Sequence, residues 1–484
     1  MKYTLINNSK TTMRRGSLFA IVMLGMALFA APMMDLQQTA LAGASDSSEE
    51  WISLFNGKDL SGWDGDSRLW SVKDGVIHGQ TTPEKPARGN TFLIWRDGKL
   101  EDFELRLRFR IENGNSGVQY RSKEVDKWVV SGYQAEVENN PGKVGFLYHE
   151  RGRGWLVNVG DFMVIDAEGK KEVVSKVSDV DELVKAGYYE EKGWNEYRII
   201  AQGNHIVHYL NGYQTAELID NDRVTDPDDS RDTEGAAREG LLALQIHQGP
   251  PMVVQFKDIR IRNLEPKYDD AVLLFDGKSL DDWHVKGESS KSKWAVGKAK
   301  MSQENPNMLL NEGGSGEMIN LAARHGDSID IYSDRKFGDC RIELQLMVPK
   351  GSNSGIYVMG EYEIQVLDSW GRTGKMSGGD MGAVYGASPP SINASRRPGQ
   401  WQKYIIDFKA PRFDSAGNKR PGEMGKARLL RVELNDQLLH ENLVMDKETP
   451  GGVENKESPS GPLMFQGNHG PVAYRNIVVK PVKK

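Results

Sequence analysis

Phe103-Glu104-Leu105-Arg106-Leu107-Arg108-Phe109-Arg110-Ile111 alternates apolar and charged residues without a break. A period of two sends one row of side chains into a core and the other toward solvent, as in a half-buried antiparallel strand. Ile342, Leu344 and Leu346 repeat the pattern, as do Tyr362, Ile364 and Val366. Asn211-Gly212 lies between Ile206–Leu210 and Tyr213–Leu218 and predicts a two-residue hairpin. Helical periodicity is scarce, and Val180–Ala186 is the stretch expected to make about two turns. Many short strands with Gly and Asn turns predict an all-β chain of two-sheet sandwiches.

The strands belong to a unit written twice. Leu54-Phe55-Asn56-Gly57-Lys58-Asp59-Leu60-x-x-Trp63 returns as Leu274-Phe275-Asp276-Gly277-Lys278-Ser279-Leu280-x-x-Trp283. Trp70-x-Val72 matches Trp294-x-Val296, Asn115-Ser116-Gly117 matches Asn353-Ser354-Gly355, and Trp194-x-x-Tyr197 matches Trp401-x-x-Tyr404. Near the ends lie Gln245-Ile246-His247-Gln248-Gly249-Pro250 and Gln466-Gly467-Asn468-His469-Gly470-Pro471. Two long units in tandem fall outside the short repeats of a solenoid. The expected organisation is a signal peptide over 1–42, a polar linker over 43–49, and sandwiches over 50–266 and 269–482.

Composition narrows the function classes. The 484 residues suit two to four domains, and 62 Lys and Arg against 68 Asp and Glu leave a net charge of -6, with no basic footprint for nucleic acid. One cysteine, Cys340, excludes an intrachain disulfide and a cysteine-cluster metal site. Lys10, Arg14 and Arg15 precede an apolar run from Leu18 to Met34, and Ala40-Leu41-Ala42 follows as a cleavage site. That order describes a secretory signal, so the expectation is export to the periplasm or beyond, with membrane contact only through this segment.

Chemistry is expected on the first unit's polar strand faces. In Val130–Glu138 the residues Gln134, Glu136 and Glu138 share one face, opposite Tyr133, Ala135 and Val137. Two carboxylates two residues apart lie about 6–7 Å apart along the backbone, near glycosidase spacing; the plain alternative is a solvated face. His149-Glu150-Arg151 follows an apolar strand just before a glycine-rich turn. His149 is the candidate proton shuttle, Glu150 its orienting partner and Arg151 an oxyanion donor, against the alternative of a charged hairpin end. Gln245 and His247 oppose Leu242, Leu244 and Ile246 and suit sugar hydroxyls. Tyr120 and Arg121 are candidates for a sugar subsite, and His208 shares its face with Ile206 and Leu210, as a packed core histidine would. A divalent cation held by Glu136, Glu138 and His247 is compatible with these residue types, although no tight ligand spacing marks one. The second unit edits this set. Its candidates are Glu363, Gln365, Asp368, Tyr385, Gln466 and His469, with Gln365 at the position of Glu136 and Tyr385-Gly386-Ala387 in place of Tyr148-His149-Glu150.

These landmarks, with Asp102-Phe103-Glu104-Leu105, Trp194-Asn195-Glu196-Tyr197-Arg198, Phe256-Lys257-Asp258-Ile259 and Tyr362–Asp368, resemble the 3-keto-disaccharide hydrolase family over nearly everything after residue 50. The resemblance implies two tandem concanavalin A-like jelly-roll sandwiches acting on glycosides with a ketone at C3. Such chemistry needs a base at C2, an electrophile at the carbonyl oxygen and an acid at the leaving oxygen. The implied partners are an oxidised sugar or glycan and, without stable contact, an upstream sugar 3-dehydrogenase. The alternatives are a non-catalytic carbohydrate-binding protein and a retaining glycosidase of the same fold. The latter typically carries Glu-x-Asp-x-x-Glu on a strand, where this chain has only Glu136-x-Glu138.

Overall fold

The computed structural model describes residues 51–483; the expected signal peptide and linker lie outside them. Among the described residues the chain forms two consecutive β-sandwiches, each with a larger back sheet and a smaller front sheet. The first back sheet has ten strands, with Phe103–Glu112 between Asn195–Gln202 and Val253–Asn263. The first front sheet has seven, in the order Gly154–Val157, Leu147–Glu150, Val129–Glu138, Asn115–Asp126, Leu241–Ile246, Thr91–Trp95 and Trp63–Asp64. The second sandwich repeats this with eight back strands and five front strands. Its front sheet stops at Tyr362–Leu367, where isolated bridges at Val384 stand in for the strand Leu147–Glu150. No described helix is long and apolar enough to cross a membrane.

The alternation behaves as the pleat requires. Phe103, Leu105, Leu107, Phe109 and Ile111 are buried in the first core, and Arg108 and Arg110 are exposed. Removing such side chains from water stabilises a fold by roughly 1.5–3 kcal/mol each. The helix occupies Val180–Ala186, and Asn211-Gly212 joins His205–Leu210 to Tyr213–Asp220.

The repeated Leu-Phe-x-Gly-Lys word has a physical role. Trp63 Nε1 donates to the Leu54 carbonyl at 2.8 Å and Trp283 Nε1 to the Leu274 carbonyl at 3.1 Å. Between them, Asn56 Oδ1 accepts the Lys58 and Asp59 amides, and Asp276 Oδ1 those of Lys278 and Ser279. Gly57 and Gly277 take the left-handed φ of 72° and 81° that the turn demands. Each copy is thus a loop closed by its own tryptophan.

The sandwiches stand back to back. Ile219 and Phe162 of the first and Val478 of the second share one apolar cluster, Ser175 Oγ donates to Asn476, and Lys403 Nζ donates to Tyr209 at 3.1 Å. These residues lie on the outer faces of the two back sheets, so the front sheets form the outermost layers and look away from each other.

Candidate functional site

The candidate site is the outer face of the first front sheet. Three neighbours in the fold explain the Asn115-Ser116-Gly117 word. Asn115 Nδ2 donates to Glu136 Oε1, Ser116 Oγ donates to the Gln245 carbonyl at 2.7 Å, and Gly117 is the cross-strand partner of Glu136. A Cβ on Gly117 would lie 2.3 Å from Gln134 Cδ, so only glycine lets the polar row lie flat across the sheet. Gln134 Nε2 donates to Glu136 Oε2 at 2.6 Å, Gln119 Nε2 donates to Gln134, and Ser122 Oγ donates to Gln119 at 3.1 Å.

Burial raises the Glu136 carboxyl to about 7. The bonds from Gln134 and Asn115 pull it down, and the charges of Glu138 and Glu150 push it up. A carboxyl so placed is about half ionised at neutral pH, the condition for a general base that must also release its proton.

The sheet is curled around this row. Glu150 Oε2 accepts from Gln245 Nε2 at 3.4 Å, although two strands separate theirs, and Glu150 Oε1 accepts from Asn90 at 3.1 Å. Register shifts between Tyr120 and Lys123 and between Glu124 and Asp126 bend the hairpin. Its turn then folds back, so that the Phe92 amide donates to the Trp128 carbonyl at 2.9 Å and Trp128 Nε1 to Asp64 at 2.9 Å. Gln119, Gln134, Glu136 and Gln245 are consequently buried, and Gln245 Oε1 is left with no hydrogen-bond partner. At the sheet edge, Trp155 pairs in register with Tyr148 and stacks on Phe146 at 3.8 Å while remaining 46% exposed.

Of the residues expected at the site, Gln134, Glu136, Glu150 and Gln245 come together. Glu138 lies at the rim end of the same strand, half-buried. His149 does not join them: it points into the core, stacks on Tyr133 at 5.4 Å and accepts at Nδ1 from Arg153 Nε at 3.1 Å. Burial, reinforced by the Arg153 charge, pushes it down to about 3, so it is a neutral acceptor and not a shuttle. Adjacent strand residues face opposite ways, so Glu150 cannot orient it. Arg151 sits exposed in a turn at φ 49°, offering its carbonyl to Ser131 Oγ. Tyr120 is in the core against His208, at 2.7 Å. The bulge turns Arg121 inward onto Asp102 at 3.2 Å and onto the carbonyls of Glu101 and Gly203, so both residues are structural. His247 lies beyond its strand and donates from Nδ1 to the Gln248 carbonyl at 2.6 Å. Glu136, Glu138 and His247 do not assemble as a metal set; among the described residues no three His, Cys, Asp or Glu side chains converge in that way. Asn90, Asn115, Gln119 and Trp155 are the residues that sequence reading missed. Asn115 carried a signal, since it heads a word present in both units.

The second front face repeats the frame. Ser354 Oγ donates to the Gln466 carbonyl at 2.7 Å, Gln365 Nε2 donates to Asn353, and Gly355 is the cross-strand partner of Gln365. Glu363 takes the position of Gln134 and Tyr357 that of Gln119, as direct cross-strand partners, and the Tyr357 hydroxyl donates to the Pro450 carbonyl at 3.2 Å. Burial raises Glu363 to about 7, with the neighbouring Tyr357 hydroxyl pulling down and the Asp330 charge pushing up. Gln466 Nε2 reaches the Tyr357 hydroxyl at 3.4 Å. Asp368 instead accepts the backbone amides of Gly351 and Trp370, Tyr385 is exposed, and His469 packs edge-on against His325.

Amides and carboxyls in a row on the hollow of an all-β sandwich are equipment for sugar hydroxyls, and the class is a carbohydrate-active β-sandwich protein. The model of the 3-keto-alpha-glucoside-1,2-lyase-like domain matches residues 50–262 and 270–480, and the chain belongs to that family. A curated 3-keto-disaccharide hydrolase of Bacteroides thetaiotaomicron is 26% identical over 197 residues, which are 36% of this chain and 64% of that protein. The chain therefore spans just under two thirds of that relative's length. Among solved structures, a candidate glycosyl hydrolase of Parabacteroides distasonis is 28% identical, with 44% of this chain and 85% of its own covered at a TM-score of 0.34. A carbohydrate-binding module of Bacillus subtilis is 15% identical, with 42% and 96% covered at a TM-score of 0.27.

Proposed function

We propose that the first sandwich cleaves 3-keto-glycosides by elimination, with Glu136 as the base. The observation that carries this reading is a buried carboxyl raised to about 7, held by two side-chain amides on the curled face of a domain of this family. A ketone at C3 acidifies the hydrogen on C2. Glu136 takes that proton, the electron pair forms the enolate, and the C1–O bond breaks with its electrons leaving on the aglycone oxygen. Water protonates that oxygen, and Glu150, tied to Asn90 and Gln245, fixes the polar wall beside it. The side-chain amides are the N–H donors this face offers to the enolate oxygen, and the unpartnered Gln245 Oε1 would accept a sugar hydroxyl. Water adding across the resulting enone completes net hydrolysis.

The substrate must come from an oxidoreductase that installs the ketone. Residues 1–42, read as an export signal, support an exported enzyme.

The test uses the purified chain with a 3-keto-p-nitrophenyl glucoside deuterated at C2. Glu136→Gln is expected to lower aglycone release and deuterium loss by about 10²–10⁴-fold, and the unoxidised glucoside should be inert. Release and exchange at the wild-type rate in Glu136→Gln would overturn the assignment.

A further inference from the structure

The outer face of the first back sheet gathers positive charge. Arg106, Arg108 and Arg110 stand on it in single file, one pleat apart, over about 14 Å of strand. In the neighbouring strand Arg260 directly opposes Arg106 and Lys257 opposes Arg108, while Arg198 opposes Arg106 from the other side. Like charges directly opposite one another destabilise a sheet, so the arrangement is costly to the fold. Glu104 offsets part of that cost through Arg106, Arg198 and Arg262, each at 2.7 Å. Glu196 and Asp258 reach Arg108 only at 3.9 and 3.8 Å, and among the described residues Arg110, Lys257 and Arg260 have no carboxylate within 4.0 Å.

Two indole rings hold these cations instead. Arg260, Arg262 and Arg106 lie 4.9, 5.1 and 5.2 Å from the centre of the Trp51 ring, and Lys257 and Arg110 lie 4.4 and 4.9 Å from that of Trp194. A guanidinium held by its flat face keeps the donors along its edge available to an anion. The second sandwich packs on the other side of this sheet, through Phe162, Ile219 and Tyr209. Arg108, Arg110 and Arg260 stay exposed, beside a groove of about 340 Å³ lined by Trp51, Arg106, Arg108 and Arg260. The file belongs to the first copy alone. Counted from Asp102-Phe103 and Asp339-Cys340, the second copy has Glu343, Gln345 and Met347 in place of Arg106, Arg108 and Arg110.

We propose that this face binds an acidic glycan, a chain bearing carboxylate or sulfate groups, and tethers the first sandwich to it. The tether does not depend on the elimination chemistry proposed for the front face. A bilayer presents its charge over a plane and rewards exposed apolar side chains. Here the basic groups form a narrow file along a groove, and cations cap both indoles. Guanidinium forks match the paired oxygens of an anionic group, and the domain is of a carbohydrate-active family.

The experiment is affinity electrophoresis of the full chain in gels holding polygalacturonate, heparin or dextran, with phosphatidylglycerol vesicles and a short DNA duplex as further arms. At least one acidic glycan should retard the chain and dextran should not; polygalacturonate assigns a carboxylate ligand, heparin alone a sulfate. Arg108→Ala, Arg110→Ala and Arg260→Ala together should weaken that binding at least about tenfold. The unfolding midpoint of this variant should not fall, because opposed like charges are relieved. Lys58→Ala, Lys300→Ala and Lys409→Ala together remove as much exposed charge elsewhere and should bind as the wild type does. Retardation by neither acidic glycan, or an equal loss in the two triple variants, would overturn the proposal. So would capture by vesicles or DNA as tight as by the glycans, and the vesicle result would assign the face to a membrane.

Discussion

The two front faces share a frame and differ in where the carboxyl falls. Asn, Ser and Gly recur at 115–117 and 353–355, and the serine in each bonds the carbonyl of a glutamine, Gln245 or Gln466. Across from that frame the first sandwich carries Gln134 and Glu136, the second Glu363 and Gln365. The acid and the amide have changed places. One pleat repeat moves the carboxyl about 6–7 Å along the strand, more than the width of a sugar ring. The second sheet also lacks the strands that bring Glu150 and Trp155 to the first. The difference teaches that the repeated residues hold strands in register, whereas the side chains proposed for the chemistry are among the few that the frame leaves free to vary.

The comparison breaks most visibly if the transposition is made by hand. Gln134→Glu combined with Glu136→Gln gives the first sandwich the second's order, and aglycone release from the 3-keto-p-nitrophenyl glucoside should fall at least about 10³-fold. Activity within tenfold of wild type would show that the carboxyl's position does not matter.

Stability should answer to pH in the direction set by raised carboxyls. Glu136 and Glu363 hold protons more tightly in the folded chain, at about 7, than in the unfolded chain, near 4.5. Their contribution is therefore fully present below pH 4.5 and is lost as pH rises through 7. In urea titrations at pH 8, Glu136→Gln and Glu363→Gln should each be more stable than wild type, by at most about 3 kcal/mol. At pH 4 the gain should vanish, and a gain equal at both pH values would contradict the burial argument. Activity should run the other way, rising through pH 7 as the base ionises.

Smaller effects sharpen the contrast. Trp155→Ala removes a half-exposed ring at the edge of the first sheet only. KM for the 3-keto-glucoside should rise about tenfold with kcat little changed. Asn115→Ala deletes a bond to the ionised Glu136, so the midpoint of the pH–rate profile should move upward by less than about one pH unit. Ser175→Ala, at the contact between sandwiches, should cost about 1 kcal/mol and leave aglycone release alone. A change in that rate would mean that the first front face responds to the contact between the back sheets.

Much of the site was legible before folding. The strand Val129–Glu138 was readable because a two-residue period is a local property of the pleat, and it placed Gln134 and Glu136 together and away from Tyr133. The duplication gave Gln365 as the partner position of Glu136, and the structure pairs both with the glycine of the Asn-Ser-Gly word. The errors have one source. Tyr120 and Arg121 were expected at a sugar subsite, but alternation with Gln119 gives Tyr120 the core face, and the bulge at Arg121, in left-handed backbone, turns the next side chain inward as well. His149 beside Glu150 looked like a pair because neighbours in sequence were read as neighbours in space.

The amino-acid order by itself determined the class of fold, the two copies, the family and which side chains share a strand face, because each depends on short-range periodicity or on words of a few residues. The tertiary structure alone decided that Glu150 reaches Gln245 across two intervening strands, that His149 is sealed against Tyr133, and that the two front faces look outward. Those outcomes depend on bulges, curl and sheet-on-sheet packing, which are set by hydrogen bonds and contacts between residues far apart in the chain.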